Sequence, residues 1–520
     1  MKKQQKLRLF QFFGTVFTLL FLIACTEPAY YVSVSGSDDN PGTRKKPFKT
    51  IDKVNSLILK PGEDIFFKAG EIFEGTLRLT VRGTVSDSVL ISSYGGGHAI
   101  IDGGNKQSLV IRGSYFRLER IHATGSGRKS GNTSNGISLT EAFHGTVENI
   151  RTEGFQKSGL DLDNCKYIRV KNVNASNNGF SGIHVVGTDR TKSGNILVQD
   201  CRAENNPGDP TNLDNHSGNG ILVAKSDGVI VDHCVATNNG WDMPRIGNGP
   251  VGIWAYESSN IIIQYCISYG NKTSKGAKDG GGFDFDGGIT NSVIQYCLSY
   301  DNEGAGYGLF QYAGASLWYN NVIRYCLSIN DATTTEGSGG IFMWNDSMDS
   351  VQLADCMVHN NLIYTTRAPA LQFEPNSMNK NFRFYNNIIM GRGEIVNGPT
   401  SGEKIFGNIW WSIGDEIKFR GYKTLREWSD ATGQEKFKGE IAGRQIDPLL
   451  KGPLTTKLTD PYELHTLLGY TLLDQSPVIN MGVPVDSLPG IPFAKHDFYG
   501  TPLPQGLHPE PGVYEWAGDR

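Results

Sequence analysis

"NIIIQYCISYGN" (Asn260–Asn271) is a phrase this chain repeats, and its spacing decides the fold. Before it stand "NILVQDC", closing at Cys201, and "GVIVDHC", closing at Cys234. After it come "NSVIQYC" at Cys297, "NNVIRYC" at Cys326 and "SVQLADC" at Cys356. These six cysteines are 33, 32, 31, 29 and 30 residues apart. Three residues before each lies an aliphatic side chain, such as Val198, Ile263 or Ile294. Five residues after come Asn206, Asn239, Asn271, Asn302, Asp331 and Asn361. A fixed period of this size marks a solenoid, in which each repeat buries its apolar face only against its neighbours.

A second column reads glycine-apolar-x-apolar: "GISL", "GLDL", "GIHV", "GILV", "GIWA", "GFDF", "GLFQ" and "GIFM", starting at Gly136, Gly159, Gly182, Gly220, Gly252, Gly282, Gly308 and Gly340. Two or three short strands per repeat, a glycine turn and an asparagine column describe one coil of an all-β, right-handed parallel β-helix. Coils then stack at about 4.8 Å, the spacing of paired strands, and like residues form ladders. The cysteines fit a buried ladder of small hydrophobes better than disulfides, although stacked Cα atoms would lie within bridging range. No C-x₂-C pair suggests a metal site.

The ends read differently. Lys2, Lys3, Lys6 and Arg8 precede an apolar run from Phe10 to Ala24, and "LIAC" (Leu22–Cys25) fits a bacterial lipoprotein signal acylated at Cys25. A plain membrane anchor or an ordinary cleaved signal are the alternatives. The expected mature chain is therefore held by lipid at the cell envelope, on the (outer) membrane, facing periplasm or cell surface. Losing those four cations takes the formal charge from −4 to −8, and no basic tract suggests nucleic acid. "PFKTIDKVNSLILKPGEDI" (Pro47–Ile65) predicts a short capping helix after Thr50. From about Asn408 the repeat fades, "TLREWSDATG" (Thr424–Gly433) carries a capping box, and a proline-rich tail after Ser476 is expected to fold back along the solenoid. The expected organisation is a signal at 1–24, the β-helix with its N-terminal cap at 25–407, and an irregular C-terminal cap at 408–520. A capped single solenoid is compatible with a monomer.

"KDGGGFDFDGGITNSVIQYC" (Lys278–Cys297) poses the functional question. Alternation of period two places Phe283 and Phe285 on one strand face and Asp284 and Asp286 on the other, which reads as exposed. Aligning the glycine-led strands gives two outward columns. One runs Asp161, His184, Leu222, Trp254, Asp284, Phe310, Phe342; the other runs Asp163, Val186, Ala224, Tyr256, Asp286, Tyr312, Trp344. Acids between aromatic platforms suit a sugar chain, whose CH faces stack on rings while carboxylates move protons. Outward residues at i and i+2 are separated by about 6.6 Å, and glycosidic hydrolysis uses carboxyl pairs at about 5–5.5 Å or about 6.5–9.5 Å. Asp284 and Asp286 are thus the expected acid and base or nucleophile, in either order. Asp279, Asp301 and His216 are candidates for support. Trp254, Tyr256, Phe310, Tyr312 and Trp344, with His216, are the expected substrate-binding residues. The same acids have bland readings: Asp279, Asp284 and Asp286 together could hold Ca²⁺ through oxygen, or serve as turn formers. The aromatics could belong to a satellite core, and His216 could be a loop hydrogen-bonder.

With the coil pattern and caps in view, the chain resembles the pectate-lyase-like superfamily of right-handed parallel β-helix proteins. The resemblance rests on the opening "YYVSVSGSDDNPGTRKKPFKTIDKVNSLILKPGEDIFFKAGEIFEGTL", the closing "HDFYGTPLPQGLHPEPGVYEW", and the central "GPVGIWAYESSNIIIQYC" and "DGGGFDFDGGITNSVIQYCLSYDNEGAGYGLFQY". It implies the fold and a polysaccharide or oligosaccharide partner; the superfamily holds hydrolases, lyases, epimerases and binders alike. The Asn-Thr-Asp, Gly-His-Gly and Arg-Ile-Lys motifs of polygalacturonase-type hydrolases are absent. Pectate-type lyases use Ca²⁺ with a nearby Lys or Arg base, for which Lys225 and Lys278 are the candidates here. Three functions follow: a cofactor-free glycoside hydrolase, favoured by the acid pair and by columns without Lys or Arg; a Ca²⁺-dependent lyase acting on a uronate; and a non-catalytic surface glycan-binding protein.

Overall fold

The computed structural model describes residues 29–518, apart from 335–336, 348–352, 368, 401, 455–456 and 507. The expected signal at 1–24 and Cys25 lie outside the described residues. Among the described residues no helix is long and apolar enough to cross a membrane.

Each coil is built from three strands that pair in parallel with their counterparts one coil on. Val251–Tyr256, Ser259–Gln264 and Ile267–Tyr269 form one coil. They pair with Gly281–Phe285, Val293–Gln295 and Leu298–Tyr300 of the next. The bends between strands are single left-handed residues. Asp200, His233, Tyr265, Tyr296 and Tyr325, each just before a cysteine, have φ of 56°, 50°, 52°, 57° and 50°. One such residue bends the chain into the next strand without a loop, and the cysteine that follows is buried.

The interior ladders are the repeat made physical. Cys201, Cys234, Cys266, Cys297 and Cys326 are buried and unbridged. Their thiols donate to strand carbonyls, as Cys266 Sγ does to Gln264 O at 3.2 Å. Beside them Asn206 Nδ2 donates to Asn239 Oδ1, Asn239 to Asn271 and Asn271 to Asn302, each at 2.9 Å, and Asn302 donates to Asp331 at 2.8 Å.

The last member of each expected column is corrected. Cys356 pairs with Asn321, not with Cys326. It is Asn361 that follows Cys326 in the thiol column, accepting from its N–H at 2.9 Å. "DCMVHNN" therefore matches "NNVIRYC", a shift of five residues from the match on the cysteines alone. Small buried polar groups replace one another at this ladder position, so the column continues as Asn361, Asn387, Asn408 and Glu435.

The helix Ile51–Asn55 covers the first coil with Ile51 and Val54, and the Thr50 hydroxyl accepts from Lys53 N at its start. At the other end the stacking runs past Asn408, since Ile409–Phe419 still pairs with Ile388–Asn397. There Leu425–Thr432 closes the core by stacking Trp428 on Phe419. The tail does run back over the coils: Asn386 Nδ2 donates to Val483 O, Arg324 to Pro492 O and Tyr296 to His496 O.

Candidate active site

The coil carrying the acids is positioned by its own alternation. Phe283 and Phe285 are in the core, with Phe283 stacked on Tyr307 at 5.2 Å, so Asp284 and Asp286 must face outward. The expected exposed face is corrected: loops wall the strip, and Asp284 is only 3% exposed. Walls and strip enclose a groove of about 700 Å³. Asp284, Asp286, Asp279, Trp254, Tyr256, Phe310, Tyr312, Trp344 and His216 all line it.

The register of this strip differs from the aligned columns. Trp254 pairs with Asp284, Asp284 with Gly308, and Gly308 with Phe342. Phe310 and Tyr312 are each one pair further along than expected, so Phe310 falls in line with Asp286 and Trp344. The true counterpart of Gly282 is Gly306, and a shift of two residues preserves which face each side chain takes. The consequence is local and large. A Cβ at Gly308 would lie 2.9 Å from Asp284 Oδ1 and 2.7 Å from the Phe310 ring, so only glycine leaves this space open above the acid.

Asp284 Oδ1 is buried without a hydrogen-bond partner. Burial pushes the carboxyl well above the usual range, and the charges of Asp286 and Asp279 add to this. Asp286 is pushed up to about 7, first by burial, against the opposing N–H of Gly287, which donates to Oδ1 at 2.7 Å. Asp279 is pushed up to about 6 by burial; the Gly249 N–H, donating at 2.6 Å, and the cations of Lys278 and Arg245 oppose the rise. Asp284 is thus biased toward its protonated form, beside a second carboxyl pushed up to about 7.

Trp254 and Phe310 are mostly buried walls, whereas Tyr256, Tyr312, Phe342 and Trp344 keep part of each ring in the groove. Trp254 Nε1 donates to Asn219 Oδ1 at 3.1 Å. His216 meets Trp254 edge-on at 4.7 Å, and its Nδ1 faces Asn219 Nδ2 at 3.1 Å. Burial drives the imidazole down to about 3. It is neutral, and accepting at Nδ1 puts its proton on Nε2. The Tyr312 hydroxyl donates to Glu257 Oε1 at 3.2 Å.

Two supporting candidates lie elsewhere: Asp301 pairs with Lys457 at 3.0 Å and Lys225 with Asp189 at 2.8 Å, and neither lines the groove. Among the described residues no group of three or more His, Cys, Asp or Glu is placed to hold a metal ion. Several lining residues escaped the sequence reading, and three of them bear on the acids and charge of the groove. Glu374, also raised by burial, pairs with Trp344. "ALQFE" (Ala370–Glu374) continues the alternation with alanine in the glycine's place, a signal that was there to be used. Gly308 was misaligned. Arg245 comes from a long loop and left no signal; it and Lys278 give the groove cations that the columns lacked.

Coils stacked in parallel, with an acid-bearing, aromatic-lined groove on one sheet, define a right-handed parallel β-helix protein. Residues 30–327 match the family model described as "Pel9A-like, right handed beta helix region", and the chain belongs to that family. No curated protein matches the sequence. Among solved structures, a GH136 lacto-N-biosidase from Eubacterium ramulus is similar at 17% identity and a TM-score of 0.50, over 75% of this chain and 68% of that one. The pectate lyase Pel9A shares 15% identity over 94% of this chain and 96% of its own, with a TM-score of 0.41. The A-module of the Azotobacter vinelandii mannuronan C-5 epimerase AlgE4 shares 14% identity over 70% and 91%, with a TM-score of 0.46. At these identities the likeness is one of fold.

Proposed function

We propose that this protein is a glycoside hydrolase that cleaves a polysaccharide or oligosaccharide in the groove over Asp284. The observation that carries the reading is Asp284 itself: a buried carboxyl, its proton affinity raised, with an unpartnered oxygen under the gap at Gly308. It gives its proton to the glycosidic oxygen as the bond from C1 to that oxygen breaks. Asp286, titrating at about 7, supplies the second carboxylate, taking a proton from water or attacking C1 directly. The anomer of the first-formed product distinguishes these two routes. The partly exposed rings of Tyr256, Tyr312, Phe342 and Trp344 stack the sugars, and neutral His216 offers Nε2–H to a hydroxyl.

The test is mass analysis of products from plant, algal and host glycans. Products carrying one added water per cut, abolished by Asp284→Asn, support hydrolysis. One observation favours a second reading: Arg245 and Lys278 in the groove suit a uronate, from which Lys278 would remove a ring proton to start β-elimination. Products with an unsaturated end, lost in Lys278→Ala, would establish that instead. Binding without any product would make the protein a glycan binder.

The proposal includes the setting: a monomer tethered to the cell envelope through acylated Cys25, with the chain after Phe419 acting as its C-terminal cap. Cys25→Ala should move the protein from the membrane to the soluble fraction; continued membrane association would sink the lipid anchor.

A further inference from the structure

Beyond the groove the same wall carries a second feature. Trp241 is 47% exposed, and among the described residues no other tryptophan is as open to solvent. One face of its ring is covered: the Arg128 guanidinium carbon lies 5.8 Å from the ring centroid. Arg128 is fixed in turn by an ion pair to Asp242, which Lys129 also reaches, and by donating to Gly208 O at 3.0 Å. The loop is braced from below, because Asp242 N donates to Pro207 O at 2.8 Å and the Ser274 hydroxyl to Met243 O. A ring held this way loses little freedom when something settles on its open face. Four residues on, the loop supplies Arg245, then Gly247, Asn248 and Gly249, to the groove lining.

A flat apolar face backed by Arg128, with the charged Asp242 next to it in the chain, matches a sugar ring, with CH groups on one side and hydroxyls around its edge, and the indole's polar tip suits the same boundary. We propose that Trp241 is a distal sugar platform, occupied by a further unit of the chain that fills the groove, so that the protein favours long glycans over short ones. This rests on the glycan reading of the groove.

The test uses calorimetric titration of the inactive Asp284→Asn protein with size-fractionated xylo-, galacturono-, mannurono- and hyaluronan oligosaccharides, as short (three- or four-sugar) and octameric fractions. The bound series should favour the octamer, and adding Trp241→Ala should weaken the octamer about tenfold while leaving the short fraction unchanged. Trp241→Phe should keep most of the gain. An octamer unaffected by Trp241→Ala, or both lengths weakened equally, overturns the platform. No binding by any series to the parent protein would instead overturn the glycan reading on which it rests.

Discussion

Two buried aspartates, Asp284 and Asp331, share their electrostatics and differ in their company. Burial raises both carboxyls, Asp331 to about 7 and Asp284 well above its usual value. Asp331 ends the asparagine ladder and is met by three donors: Asn302 N at 3.2 Å, Asn302 Nδ2 at 2.8 Å and the Ser328 hydroxyl at 2.8 Å. Asp284 Oδ1 has no partner and lies on a groove of about 700 Å³. A raised proton affinity is therefore common to an acid that ends a ladder and an acid placed for chemistry. The unpartnered oxygen beside an open space separates them, because a fold gains nothing from leaving a buried acceptor unmet.

The contrast is sharpest in turnover. Asp284→Asn should lose about 10²–10⁴-fold, the usual range for a general acid, while Asp331→Asn, which restores the ladder's own residue, should leave turnover unchanged. Comparable losses in both variants would break the distinction. Stability should show the reverse. Asp331→Ala strands two Asn302 donors at about 1–3 kcal/mol each, a fall in Tm that Asp284→Asn should not reproduce in thermal unfolding.

Gly308 tests the open space itself. Gly308→Ala should cut kcat/KM about ten- to a hundredfold by pushing against Asp284 and the Phe310 ring, with Tm nearly kept. Full activity would mean that the gap is not where substrate sits.

The smallest effect concerns pH. Asp331 and Glu435, both pushed up to about 7 by burial, bind their protons more tightly folded than unfolded. Their stabilising contribution is full below the ordinary carboxylate range and is lost as pH rises through about 7. Tm should therefore fall between about pH 4 and 7, and Asp331→Asn should flatten part of that slope. An unchanged slope would remove Asp331 from the account.

Much of the architecture was legible because it is periodic. The cysteine and asparagine columns, the capping helix after Thr50 and the returning tail all follow from local pattern, and so does the face shared by Asp284 and Asp286. The two register errors have one cause. Gly306 and Gly308 both fit a glycine-led strand, and Cys356 and Asn361 both fit a small inward residue, so the pattern allowed either and packing chose between them. Within the site, Arg245 was illegible because a loop brings it in, and loops carry no period.

The sequence by itself determined the coil, its ladders and the side of the strand on which the acids stand, since alternation is a property of neighbouring residues. Only the tertiary structure decided that Asp284 is buried rather than exposed, that Gly308 and not Phe310 lies beside it, and that Arg245, Lys278 and Glu374 share its groove. Desolvation and register depend on chain segments far apart in sequence, and those meet only when the coils stack and the loops close over them.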